Sequence, residues 1–255
     1  MLQKILYNKF YEPGIAAKLR VSSADRTVMA VQFPPLWIWI KNFENCDGFE
    51  RTASDKLCAF FAECIRACGG KIDGAIMQGW AMDYFIQTLS KECRFSPKYL
   101  KWEMAALYLP CPVRHFPQGE LVLLQASHIP MISEWMGHFH EQALNLTLSH
   151  TNKIKAATAL IMTKKLYGLE IKGNIKAMGM IVPLMSQNMS KLNLIFTPYR
   201  NQGYGRDITA ALSATIQAQG KMPVLYARVE NIAAMNLYAS LGFLEAGRLM
   251  EIRLE

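Results

Sequence analysis

Residues 192–206 read LNLIFTPYRNQGYGR. An apolar run with strand character ends at Thr197, and Pro198, which has no N–H to give a ladder, stops it. Arg200, Gly203 and Gly205 follow at R-x-x-G-x-G spacing. Directly after them comes a helical pattern over 206–219, in which Ile208, Leu212, Thr215 and Ile216 recur on one face and Gly220 ends the run. Glycines in a helix's first turn let backbone amides reach a ligand with no side chain in the way, and the exposed N–H groups and helix dipole favour an anion. A pyrophosphate is the natural guest. The nucleotide P-loop fails, because Arg206 and Asp207 stand where Lys and Ser/Thr must close the loop. The dinucleotide fingerprint fails as well, because Ile208 occupies the place of its third glycine.

Upstream of the strand at 191–197 the pattern gives a strand at 120–125, an apolar helix at 129–144 and a more polar, Ala-containing helix at 152–162. A hairpin follows, with strands at 167–171 and 175–182 joined through Lys172, Gly173 and Asn174; Ile175, Ala177, Gly179 and Ile181 alternate on one face. Downstream lie a strand at 224–229, a short helix at 233–241 stopped by Gly242, and a closing strand at 247–254. This alternation predicts an α/β chain of the α+β type, with a mixed, mostly antiparallel sheet flanked by helices. The breaker-rich stretch CPVRHFPQG at 111–119 places a domain boundary, giving units 1–117 and 118–255. The first unit reads as strands at 27–33 and 36–43, a Ser-capped helix at 54–68, a strand at 74–78, a helix at 81–91 and a strand at 101–109. That order repeats the second half from its hairpin to its end. An ancient duplication, leaving a degenerate copy, and an unrelated cap domain both stay open.

A second motif lies downstream. Asn231, Ala234, Leu237, Tyr238, Leu241, Gly242 and Phe243 spell N-x-x-A-x-x-L-Y-x-x-L-G-F after a strand. With Arg200, Asn201, Gln202, Gly203, Tyr204 and Gly205 matching Q/R-x-x-G-x-G/A, the region from about 120 to 255 resembles the GNAT superfamily of acyl-CoA-dependent N-acyltransferases. The resemblance does not extend into the first half.

The resemblance implies acetyl-CoA as cofactor. Its pantetheine arm would run beside the backbone of Ile195, Phe196 and Thr197 as a substitute strand, and an amide near Phe196 would polarise the thioester carbonyl. Arg200, Asn201, Gln202, Gly203, Tyr204, Gly205 and Arg206 would surround the pyrophosphate, with Asn231 and Ala234 completing the cofactor site. Tyr238 is implied as general acid for the departing thiolate, a phenol with an ordinary pKa of ~10 being a sufficient donor. Many family members carry a Glu on the strand before the loop, and 191–197 contains no acid. His138, His140 and Glu141 cluster on one helix and read as solvated face residues, so the base is unassigned. The acceptor is a primary amine on a small molecule or a protein. A non-catalytic acyl-CoA sensor and an amino-acid N-acyltransferase remain as alternatives.

Bulk properties agree. The net charge is +8, split as 15 basic and 11 acidic residues over 1–119 and 13 and 9 over 120–255, so each half is +4 and no basic run singles out a nucleic-acid surface. A diffuse positive field suits a phosphate-rich small molecule. The six cysteines, all in the first half, show no CxxC pair and no His at ligand spacing, so no metal site is expected; Cys58, Cys64 and Cys68 read as free thiols on a core helix. No apolar run is long enough to span a bilayer and no leader pattern opens the chain, which makes cytoplasm the expected location.

Overall fold

The computed structural model describes residues 19–22, 28–32, 36–40, 51–69, 72–93, 98–144, 147–184 and 188–254. The expected strand ends at 27, 33 and 41–43, and Cys46, lie outside them. The chain forms two compact units, one of residues 1–107, 226–232 and 245–255, the other of residues 108–225 and 233–244. Residues 245–255, the end of the last strand, group with the first unit.

In the first unit β1 (Leu19–Ser22), β2 (Val28–Gln32), β3 (Leu36–Ile40), β4 (Gly74–Met77) and β5 (Tyr99–Tyr108) accompany α1 (Arg51–Ala67) and α2 (Gly79–Cys93). β1, β2 and β3 form an antiparallel meander, and β3 pairs β4 in parallel. The closing strand, Leu244–Leu254, pairs β4 antiparallel from Met250↔Met77 to Arg253↔Gly74. Ile38, Ile40, Phe61, Ile65, Met77, Phe85 and Ile252 share one buried core, with the Phe61 and Phe85 rings edge-to-face at 5.4 Å. α1 begins at Arg51, so Ser54, expected as its cap, lies inside the helix. Its polar first turn carries nothing for a hydrophobic period to mark. On that helix Cys64 is fully buried, and burial pushes its thiol up to about 12; Cys58 and Cys68 are half-buried, all three as free thiols.

The second unit holds β6 (Glu120–Leu123), α3 (Ile129–Leu144), α4 (His150–Met162), β7 (Leu166–Ile171), β8 (Asn174–Pro183), β9 (Met189–Phe196) and α5 (Tyr204–Ala218). Next come β10 (Met222–Arg228) and α6 (Ile232–Ser240), and the closing strand is β11. β6, β7, β8 and β9 are antiparallel neighbours in that order, and the start of β10 joins β9 in parallel. The mixed, mostly antiparallel sheet flanked by helices is the architecture the pattern predicted.

Local chemistry explains the ends. Lys172 and Gly173, both at positive φ, turn the β7–β8 hairpin, so the turn is two residues and Asn174 already pairs with Ile171. Ser149 caps α4, its hydroxyl accepting from the Asn152 amide at 3.3 Å. α3 and α4 cover the sheet through Ile132, Trp135, Met136 and Ala157, which bury against Leu166, Met178, Val182 and Phe196. No helix among the described residues is long and apolar enough to cross a membrane.

The β4–β11 pairing is testable at one residue. A Cβ on Gly74 would overlap the backbone carbonyl of Ile252 and come within 3.2 Å of Arg253 Cα. Overpacking of this kind costs about 1–3 kcal/mol, so Gly74→Ala is expected to lower the Tm by roughly 3–10 °C. An unchanged melting curve would show that β11 does not seat on β4.

Candidate functional site

Twin strands give the site its shape. β10 pairs β9 over three positions only, Met222↔Met189, Pro223↔Ser190 and Val224↔Lys191, yet β9 runs on to Phe196. Beyond Lys191 the described pairing leaves that edge of β9 without a ladder partner, and its N–H and C=O groups are a template for another extended chain. On its other edge β9 pairs β8, where the register passes from Met180↔Asn193 to Met178↔Phe196. Two β9 residues, Leu194 and Ile195, thus face the single residue Gly179. This is a bulge, and Leu194 sits in it at φ +52°, a conformation a branched side chain seldom adopts. Strain of that kind persists only where its surroundings impose it, and it concentrates at ligand sites.

The strand's exit is fixed by Thr197. Its hydroxyl donates to the Lys176 carbonyl at 2.6 Å and accepts from the Tyr199 amide at 3.2 Å. Tyr199 then packs edge-on against Tyr204 at 5.9 Å, with Lys176 Nζ 4.8 Å above its ring. Arg200 turns back onto the fold: its guanidinium donates to Gln142 Oε1 and lies 5.9 Å from the Phe196 ring. Asn201 at φ +59° and Gly203 at φ +83° bend the loop so that α5 starts at Tyr204. The Asp207 amide makes the first helical bond, to the Gly203 carbonyl at 3.0 Å. The amides of Tyr204, Gly205 and Arg206 precede it and have no intrahelical acceptor.

The two glycines serve different ends. A Cβ on Gly203 would meet nothing within 4 Å, so positive φ is what requires glycine and the space before the loop is open. A Cβ on Gly205 would come within 3.2 Å of Leu237 Cδ1. Gly205 therefore sets the close approach of α5 to α6.

Tyr238, on α6, is 8% exposed, and burial pushes its hydroxyl up to about 12. Its ring lies 5.8 Å from that of Phe243, whose amide donates to the Tyr238 carbonyl at 3.1 Å. Ala234 is half-buried on the same helix; Asn231, in the turn before it, counts with the first unit. β9 offers no carboxylate. His138 and Glu141 are exposed on α3, and His140 Nδ1 is taken up by the Met136 carbonyl at 2.7 Å, a local bond one turn back.

One pair was not legible in the sequence. His115 Nε2 lies 2.5 Å from Asp207 Oδ1, and that carboxylate is 1% exposed. Ninety-two positions separate the two residues, and His115 falls in a stretch that reads only as a breaker-rich boundary.

A family model described as FR47-like protein matches residues 165–251. No curated protein matches the chain. Among solved structures, a GCN5-related N-acetyltransferase from Kribbella flavida superposes with a TM-score of 0.60 at 12% identity, covering 99% of this chain and 95% of that one. An acetyltransferase of the GNAT family from Colwellia psychrerythraea gives 0.56 at 15% identity over 90% and 82%. A functionally unknown conserved protein from Staphylococcus epidermidis gives 0.56 at 10% identity over 100% and 99%. At these identities the likeness is one of fold.

The buried phenol makes its own prediction. Because the folded-state value is raised to about 12, above the ordinary ~10, Tyr238 stabilises the folded form below pH ~10, and that contribution is lost as pH climbs toward 12. The difference in unfolding free energy between wild type and Tyr238→Phe should therefore stay constant from pH 6 to 9 and shift in favour of Phe above ~10. A flat difference through pH 11 would mean that the hydroxyl is solvated.

Proposed function

We propose, from the premise that the C-terminal region of this chain belongs to the GNAT superfamily, that the protein is an N-acetyltransferase. It would move an acetyl or short acyl group from acyl-CoA to a primary amine by direct attack in a ternary complex. The observation that carries this reading is the continuity of three features: the unpaired edge of β9 beyond Lys191, the bulge at Leu194, and the open turn at Gly203 that begins α5. An extended amide-bearing arm fits the first, and a pyrophosphate fits the last.

When bound, acyl-CoA supplies the thioester whose C–S bond breaks as the amine nitrogen bonds to the carbonyl carbon. The chain's own groups act around it. The amides of Tyr204, Gly205 and Arg206 hold the diphosphate charge at the positive end of α5. Ile195, Phe196 and Thr197 border the arm, and the bulge turns main-chain groups of Leu194 and Ile195 off the β8 ladder, where an amide near Phe196 stabilises negative charge on the carbonyl oxygen. Tyr238 Oη donates to the departing sulfur. Like any phenol it is protonated throughout the neutral range, and burial raises it further, to about 12. Against a thiol of ~8.5 full proton transfer is uphill, so the hydroxyl acts first as a hydrogen-bond donor to the developing thiolate. The amine's proton leaves through solvent, since β9 carries no carboxylate.

Two measurements test this. Gly203→Val forces a branched side chain to φ +83° and into the open space before the loop. Acetyl-CoA affinity should fall at least ~10-fold by calorimetry, the loss of one charge-assisted contact or more, with an unchanged circular dichroism spectrum; equal affinity would remove the loop from the site. Tyr238→Phe keeps the ring that packs on Phe243. A donor used only as the C–S bond breaks is worth ~10²-fold in kcat, with Kd for acetyl-CoA unchanged. A variant that keeps more than about a third of the rate, far short of that contribution, would withdraw Tyr238 from the chemistry.

A further inference from the structure

Beyond β5 the chain runs without regular structure to Glu120, ahead of the region that the family model matches. Part of it is pinned to both ends of α5. Near the helix's C-terminus Gln217 Nε2 donates to the Cys111 carbonyl at 2.7 Å, and Gln217 Oε1 accepts from the Val113 amide at 3.0 Å. In the first turn Asp207 Oδ1 lies 2.5 Å from His115 Nε2. Positions 207 and 217 stand about 15 Å apart along a helix axis, so the segment lies lengthwise against α5.

Asp207 is 1% exposed, and its Oδ2 bonds nothing among the described residues. A carboxylate only accepts, so its bond to His115 places a proton on Nε2. The amides of Tyr204, Gly205 and Arg206, assigned above to the diphosphate, lie in the same turn as this carboxylate. Asp207 and a bound diphosphate are therefore two negative charges that share one positive helix end. A carboxylate shut away from solvent is screened little by salt, so its repulsion of the ligand persists at ordinary ionic strength. The imidazole of His115 is the group that draws this charge away from the turn.

We propose that His115 sets the affinity of the α5 turn for its anionic ligand: by donating to Asp207 it takes up the charge of a carboxylate that would otherwise repel the diphosphate. This rests on the acyl-CoA reading above. His115 is a positioning residue, which acts through Asp207 rather than on the ligand. Gln217 holds the segment, and the segment holds the imidazole against Asp207. A stretch of irregular chain outside both sequence motifs thus tunes the turn that one of them marks.

The experiment compares wild type, His115→Phe, His115→Gln, Asp207→Asn and the double variant His115→Phe with Asp207→Asn. Acetyl-CoA binding is read by calorimetry; S-acetylpantetheine, which keeps the thioester arm and carries no phosphate, is read by nuclear magnetic resonance titration. His115→Phe keeps a ring and loses the donor, so its acetyl-CoA affinity should fall about fivefold or more, the scale of coupling between two sites. S-acetylpantetheine affinity should stay within about twofold. His115→Gln, whose amide still donates, should recover most of the loss. Adding Asp207→Asn to His115→Phe should restore acetyl-CoA affinity to within about twofold of wild type, because the repelling charge is gone. A merely structural loss would lower both ligands together, and a second buried substitution would not repair it. Unchanged acetyl-CoA binding in His115→Phe, equal losses for both ligands, or a double variant no better than the single one would overturn the assignment and leave acyl-CoA binding intact. If His115→Phe does not fold, Asp207→Asn decides: affinity at or above wild type agrees with the proposal, and a loss overturns it. Failure of wild type to bind acetyl-CoA would overturn the acyl-CoA reading, and this proposal with it.

Discussion

Gly179 is the place where three elements of the second unit meet. An added Cβ there would come within 2.5 Å of Leu212 Cδ1 on α5 and 2.8 Å of Ile195 Cδ1 on β9. The missing side chain makes room for both. Leu212 seats the helix on the sheet through that gap, and Ile195 occupies it because the bulge places two β9 residues opposite one of β8. The close-packed interior leaves no slack for relaxation. Leu194 is thereby held at positive φ, and everything that follows on β9 leaves the sheet in a direction the bulge sets.

The site inherits its geometry from that constraint. β9 separates from β10 after three pairs, and Thr197 then fastens the strand's end to Lys176 so that the loop starts from a fixed point. Asn201 and Gly203 supply the left-handed turns that bring α5's first amides to bear on open space. Gly205 brings α6 close through Leu237 and so sets where the helix that carries Tyr238 can lie. Burial there pushes the phenol up to about 12.

α5 carries buried polar side chains at Asp207, Thr209 and Ser213. Asp207 is buried there with its Oδ2 unbonded among the described residues, a costly placement that the helix N-terminus and His115 offset. The result ties a segment of irregular chain, 111–115, to the one helix whose N-terminus the anion reading needs.

By itself the sequence determined the order of elements from 120 onward, because apolar periods of two and of 3.6 residues mark faces that must be buried whatever they pack on. It also marked the turn: Gly203 ahead of a helical period announces the left-handed bend from which α5 starts. Boundaries drifted by one to three residues, as at α1, since a polar first turn leaves no period to read. Tertiary structure alone decided the rest. β11 counts with the first unit because its partner is β4, more than 160 residues earlier. The bulge at Leu194 exists only against Gly179, and His115 finds Asp207 across 92 positions. Such pairings depend on which surfaces meet after the chain has folded, and no periodicity or local propensity carries that information.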